Sequence, residues 1–182
     1  MQSDRIILSN RSGLGEVANY SIVSTIQGPI LALISAAGLS MWPHFSKERN
    51  SGESGRAAFT LALRLFFVTG LVASVALYVV GPYLVPLVTK GQASIDANLF
   101  ASASLVVLVV SCQNPAGMFL TDSSGLAFQA KTVSLMAVVN VALSWVLAGK
   151  YGASGPYLGT AIAIAVCQLG PTIWVALKKT QR

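Results

Sequence analysis

Asp4, Arg5, Arg64, the consecutive Gln113-Asn114-Pro115 and Asn140 are the residues in this chain that most need a chemical explanation. Each lies in or beside a long stretch without charge, where a polar group is costly unless it meets a partner or water. Asp4 and Arg5 precede the apolar run Ile6-Ile7-Leu8, and their charges need a cavity or each other. Gln113-Asn114-Pro115 must face other helices or water. Asn140, with Ser144 one turn on, suits an interhelical hydrogen bond worth about 0.6–2 kcal/mol. Enzyme-like sets are missing. The one histidine, His44, stands beside Pro43 and reads as interfacial. No His, Cys, Asp or Glu residues have metal-ligand spacing, and there is no GxxxxGK[ST] phosphate loop. A Ser/His/Asp set would have to recruit His44 and Asp122, which nothing in the spacing pairs. Asp96 and Asp122 stand singly. The chain reads as a non-enzyme, with no cofactor and no metal.

The elements that must hold these residues follow from how charge is excluded. Of 182 residues, 54% are hydrophobic and 10% charged, and the mean hydropathy is +0.67. A soluble domain carries roughly 25% charged residues. Charge is absent in blocks, each close to the roughly 20 apolar residues that span a bilayer core of about 30 Å. Helices enter lipid because they satisfy their own backbone. Five spans are expected, near residues 17–42, 61–88, 99–120, 126–148 and 157–177. The fold class is all-α, a polytopic membrane helix bundle. Cys112 and Cys167 lie inside spans as small apolar fillers.

Lys and Arg beside spans favour the cytoplasm. Eight of the twelve fall on one side: Lys47, Arg49, Arg56, Arg64, Lys131, Lys178, Lys179 and Arg182. Arg5, Arg11, Lys90 and Lys150 fall on the other. The C-terminus is therefore expected inside. The net charge of +6 reflects topology and not a nucleic-acid surface. Residues 3–9 read as the outer end of a further helix whose start is missing, so residues 1–13 are the expected tail of a truncated span. Residues 14–182 form the five-helix bundle.

Local signals refine the spans. Pro29, after Gln27-Gly28, is expected to kink the first. Residues 46–54 read as a solvated loop. Pro82 and Pro86 are expected to bend or unwind the end of the second span. Asp122-Ser123-Ser124-Gly125 reads as the next loop. Gly155, Gly159 and Ala163 place small residues on one face of the last span, for close helix packing. Trp42, Tyr83, Tyr151 and Tyr157 lie near span ends, as interface aromatics do.

Several segments together resemble one family. They are Asp4-Arg5-Ile6-Ile7-Leu8-Ser9 with Leu14-Gly15-Glu16-Val17-Ala18-Asn19-Tyr20-Ser21-Ile22, then Pro43-His44-Phe45-Ser46-Lys47, then Gly81-Pro82-Tyr83-Leu84-Val85-Pro86-Leu87-Val88 with Gly91. Asn140 and the run over residues 152–163 follow. In order and spacing they resemble polysaccharide flippases, of the O-antigen type, in the multidrug/oligosaccharidyl-lipid/polysaccharide exporter superfamily. The resemblance implies the C-terminal half of a twelve-helix transporter, completed by an N-terminal bundle. It implies an inner-membrane protein of polysaccharide biosynthesis. Its substrate would be a polyprenyl-diphosphate-linked oligosaccharide, moved between leaflets among membrane lipids. Under that reading Arg5 and Arg64 suit the diphosphate, because guanidinium pairs well with phosphate oxygens. Arg64 equally suits snorkelling to the interface. Gln113, Asn114 and Asn140 are candidate sugar contacts, and Asp4 a candidate proton or sodium coupling residue. A multidrug cation antiporter of the same superfamily shares the fold and would favour an acidic residue deep in a span, for which Asp4 is the candidate; a non-transporting truncated membrane protein is the other alternative.

Overall fold

The computed structural model describes residues 2–43, 45, 53–91 and 95–180. His44 and most of the expected loop at 46–54 lie outside the described residues. The described chain is helical throughout, without strands. Its elements are α1 (Gln2–Arg11), α2 (Leu14–Ser40), α3 (Glu53–Thr89), α4 (Ala97–Phe119), α5 (Ser123–Tyr151), α6 (Ser154–Ala163), a π-helical segment (Ile164–Leu169) and α7 (Gly170–Lys179). The last three stack into one continuous rod. Among the described residues five helices are thus long and apolar enough to cross a bilayer. The chain is a multi-pass membrane protein.

Its surface fits lipid and not water. Along α3, Leu65, Phe67, Val68, Val72, Val75, Val79 and Leu87 are all exposed, an apolar face far larger than soluble monomers tolerate. The buried positions are few and specific. In α4, 56% of the spanning window is buried, against 33% or less in the other spans. That makes α4 the central post, packed by α2, α3, α6, the π segment and α7. Its serines explain how: Ser102, Ser104 and Ser111 are buried, and small side chains let neighbours approach closely.

Packing settles the direction of each rod. At one end Glu16 of α2 accepts a hydrogen bond from the Ala153 N–H (2.5 Å), and Ser12 donates to the Ala148 carbonyl (2.8 Å). Arg11 lies over the Trp145 ring at 5.1 Å. At the other end Trp42 donates to Thr121 (2.9 Å), and Phe119 packs between Phe45 and Phe59. Two buried clusters result, one around Tyr20, Phe100, Val107 and Tyr157, the other around Phe45, Phe59, Phe119 and Ala176.

Two expectations about local breaks are corrected. α3 stays helical through Pro82 and Pro86 to Thr89 and does not unwind. Two missing N–H donors weaken a helix of this length only locally, and Gly91 N–H closes its end on the Pro86 carbonyl at 3.0 Å. The turn after α4 is shorter than the expected loop, because Asp122 is already the N-cap position of α5. The last span also contains the π segment. Pro171 has no N–H for the Cys167 carbonyl. The register slips to five-residue bonds, one of them from Gly170 N–H to the Ala165 carbonyl. Pro29 lies exposed within an unbroken α2.

Candidate functional site

One group of polar side chains inside the bundle lies on the half that ends at Asp122. There a cavity of about 410 Å³ opens between α2, α4, α5 and the π segment. Ser35, Gln113, Asn114, Thr121, Gln129 and Gln168 supply its polar lining. At ~30 Å³ per molecule it has room for about a dozen waters. None of the residues lining it is charged. It therefore offers carboxamide and hydroxyl donors and acceptors, and no ion.

Each side chain is there for a local reason. Pro115 lies inside α4, which stays helical to Phe119, and its missing N–H leaves the Ser111 carbonyl without its usual helical donor. Asn114 sits where α2 presents Gly38: a Cβ on Gly38 would fall 2.9 Å from the Asn114 carboxamide oxygen. Asn114 Nδ2 donates to the Val110 carbonyl at 3.0 Å, which turns its oxygen away from its own helix. Gln129, near the start of α5, donates to the carbonyls of Gly117 (3.1 Å) and Leu120 (2.7 Å). Those are end carbonyls of α4 that lack helical partners. Gln168 rides on the π segment, whose wider turn directs it to this wall. Gln113 Oε1 is buried without a hydrogen-bond partner, an acceptor that a bound donor would satisfy.

Gln113 and Asn114 are the two sequence candidates that the structure brings together. The others lie elsewhere. Asp4 is buried, 3% exposed, between α1, α2 and α6, where the Tyr20 hydroxyl donates to its Oδ2 at 2.8 Å. Tyr20 stacks on Tyr157 with centroids 4.6 Å apart, and the Tyr157 hydroxyl shares a 2.8 Å hydrogen bond with Ser24. Arg5 is exposed on α1. Arg64 is exposed on α3. It lies about three turns from the helix start, because that start is Glu53 and not the residue 61 expected. Asn140 Oδ1 accepts from Ser144 (3.1 Å) on its own helix and from Thr160 (3.2 Å) on α6. That ties two helices together and does not line the cavity.

Gln129, Gln168, Ser35 and Thr121 were not singled out in the sequence. The signal was available for the glutamines, since a carboxamide inside an apolar span is expensive unless used. Gln27 carries the same signal: it is fully buried and donates to the Ala103 carbonyl at 2.9 Å, joining α2 to α4.

Just beyond the cavity an ionic clamp closes the end of the bundle. Lys179 Nζ lies 2.6 Å from Asp122 Oδ2 and 2.8 Å from Ser124 Oγ, tying the end of α7 to the α4–α5 turn. Burial alone would push the Asp122 carboxyl up. Hydrogen bonds from Lys179 and Ser124, with the lysine charge, outweigh it and hold the carboxyl down at about 2, below its ordinary 3.8.

Among the described residues no group of His, Cys, Asp and Glu is arranged to hold a metal. Comparison of the chain with protein-family models, with curated proteins and with solved structures returns no match.

Proposed function

We propose that this chain forms the C-terminal bundle of a polysaccharide flippase, a twelve-helix transporter that moves a polyprenyl-diphosphate-linked oligosaccharide across the inner membrane. The observation that carries this reading is the uncharged, carboxamide-lined cavity inside an apolar bundle. A sugar presents hydroxyls that donate and accept, and carboxamides answer both. Moving such a headgroup through hydrocarbon unaided would strand its polar groups at a cost of several kcal/mol each. A polar path between two bundles that rock against each other removes that cost. Arg5 and Arg64, both exposed, are the proposed diphosphate ligands. The end carrying Asp122 and Lys179 is placed in the cytoplasm, because most basic residues gather there.

One observation favours a second reading, a multidrug cation antiporter of the same superfamily. Asp4 is a buried carboxylate in a membrane bundle, and such residues mark ion pathways by default. One experiment separates the two. Deleting the gene should abolish surface polysaccharide, and the intact gene should restore it. A strain that keeps its polysaccharide and becomes drug-sensitive would overturn the flippase reading in favour of the antiporter.

A further inference from the structure

At the end of the bundle opposite the Asp122 clamp, a second cleft of about 780 Å³ lies between the starts of α4 and α6. Asp96, Asn98, Lys150 and Tyr151 surround its mouth, and Leu105 and Leu158 line it further in. Asp96 and Lys150 carry opposite charges on one cleft and make no salt bridge with each other. Asp96 is already held: its oxygens accept from the Asn98 backbone N–H (3.4 Å) and side chain (3.1 Å). A carboxylate has about four lone-pair sites, so it retains capacity for a further donor.

Polarity along the cleft runs in one direction on both walls. On α4, Leu105 stands nine residues beyond Asp96, about 13 Å deeper at helical rise. On α6, Leu158 stands about 6 Å deeper than Ser154. Charge at the mouth, an apolar floor, and Tyr151 exposed at the rim where interface aromatics sit together describe the profile of a membrane amphiphile.

We propose that this cleft binds a phospholipid whose headgroup carries both a phosphate and a primary ammonium, that is, a phosphatidylethanolamine. The phosphate meets Lys150, the ammonium donates to Asp96, and an acyl chain lies along Leu105 and Leu158. A net-neutral pair of side chains matches a net-neutral headgroup. An anionic headgroup leaves Asp96 facing negative charge. A choline headgroup has no N–H to donate and is recognised by aromatic faces, of which Tyr151 alone lines the cleft. The inference stands independently of the transported substrate.

The test is made on the purified full chain in nanodiscs of equimolar phosphatidylethanolamine, phosphatidylcholine and phosphatidylglycerol with identical acyl chains. Lipid retained after detergent extraction and washing is quantified by mass spectrometry. Retention of phosphatidylethanolamine over phosphatidylcholine is expected at about fivefold, the scale of one interfacial charge–headgroup interaction. Asp96→Asn, which keeps a good helix cap, should erase that preference. Lys150→Gln should reduce total retained lipid, and Lys150→Arg should preserve it. Lys131→Gln, which removes an exposed lysine toward the other end of α5, should change nothing. Equal retention of the two zwitterionic lipids by the unaltered protein would overturn the proposal, as would a preference that survives both Asp96→Asn and Lys150→Gln. Displacement of the lipid by soluble glycerophosphoethanolamine at matched concentration would assign the site to a soluble ligand instead.

Discussion

Gln113 and Gln129 line one cavity and do different work there. Gln129 closes two end carbonyls of α4, so its loss leaves buried acceptors unmet at about 1–3 kcal/mol. Gln113 brings to the fold an acceptor with no partner, so replacing it with an apolar residue of similar size should cost little stability. Gln129→Leu should therefore lower the unfolding midpoint in detergent. Gln113→Leu should leave it within error and still reduce polysaccharide export several-fold. If Gln113→Leu exported normally, the cavity would not be a sugar site. The Asp122 clamp makes a separate prediction. Its carboxyl is held at about 2 against an ordinary 3.8, so the charged form is the stabilised one. That contribution is complete above the ordinary value and is lost as pH falls through the lowered one. The midpoint difference between the unaltered protein and Asp122→Asn should be present at pH 5 and should close between pH 4 and pH 2. A difference that stays constant over that range would show that the carboxylate charge is not what the clamp uses.

Helices in this bundle meet through small residues, and α6 against α5 is the clearest case. A Cβ on Gly159 would lie 2.8 Å from Ser144 Oγ and 2.9 Å from the Ser144 backbone nitrogen. Neither helix has room to retreat, because Ala148 and Tyr157 are already buried in the same seam. Gly159→Ala should destabilise the protein by about 1–3 kcal/mol, the usual cost of overpacking. Gly15→Ala, at a helical position with nothing within 4 Å, should raise stability by about 0.5 kcal/mol through the unfolded chain. Thermal unfolding of both variants in one detergent checks the pair, and equal effects would contradict the packing described. This seam was legible in the sequence, as the four-residue spacing of Gly155, Gly159 and Ala163. So were all five spans, because the exclusion of charge is local information. The π segment was not. Pro171 announces a lost hydrogen bond but not whether the helix kinks, ends or changes register, since neighbouring helices decide that. Continuity through Pro82 and Pro86 escaped for the same reason.

At the scale of the whole molecule, five spans place the Glu16–Ala153 contact and the Asp122–Lys179 clamp at opposite ends. In the proposed orientation the clamp faces the cytoplasm. With Cys112 and Cys167 replaced by alanine, a cysteine at Ser124 should resist a membrane-impermeant thiol reagent in intact cells. A cysteine at Tyr151 should react. The reverse pattern would invert the topology. The candidate site was only half legible at this scale. Gln113 and Asn114 stood out as consecutive polar residues, whereas Gln129 and Gln168 reach the same cavity from other helices, a convergence that one-dimensional spacing does not contain. Asn140 read in the sequence as suited to an interhelical hydrogen bond ahead of a sugar contact, and its partners Ser144 and Thr160 hold it in that role.

The flippase reading is tested most directly by which leaflet holds the lipid-linked oligosaccharide in cells without the gene. Enzymatic labelling of its terminal sugar in sealed membrane vesicles of known orientation measures this. Accumulation on the cytoplasmic leaflet is expected, reversed when the intact gene is returned. Lipid-linked oligosaccharide reaching the outer leaflet at an unchanged rate would contradict it.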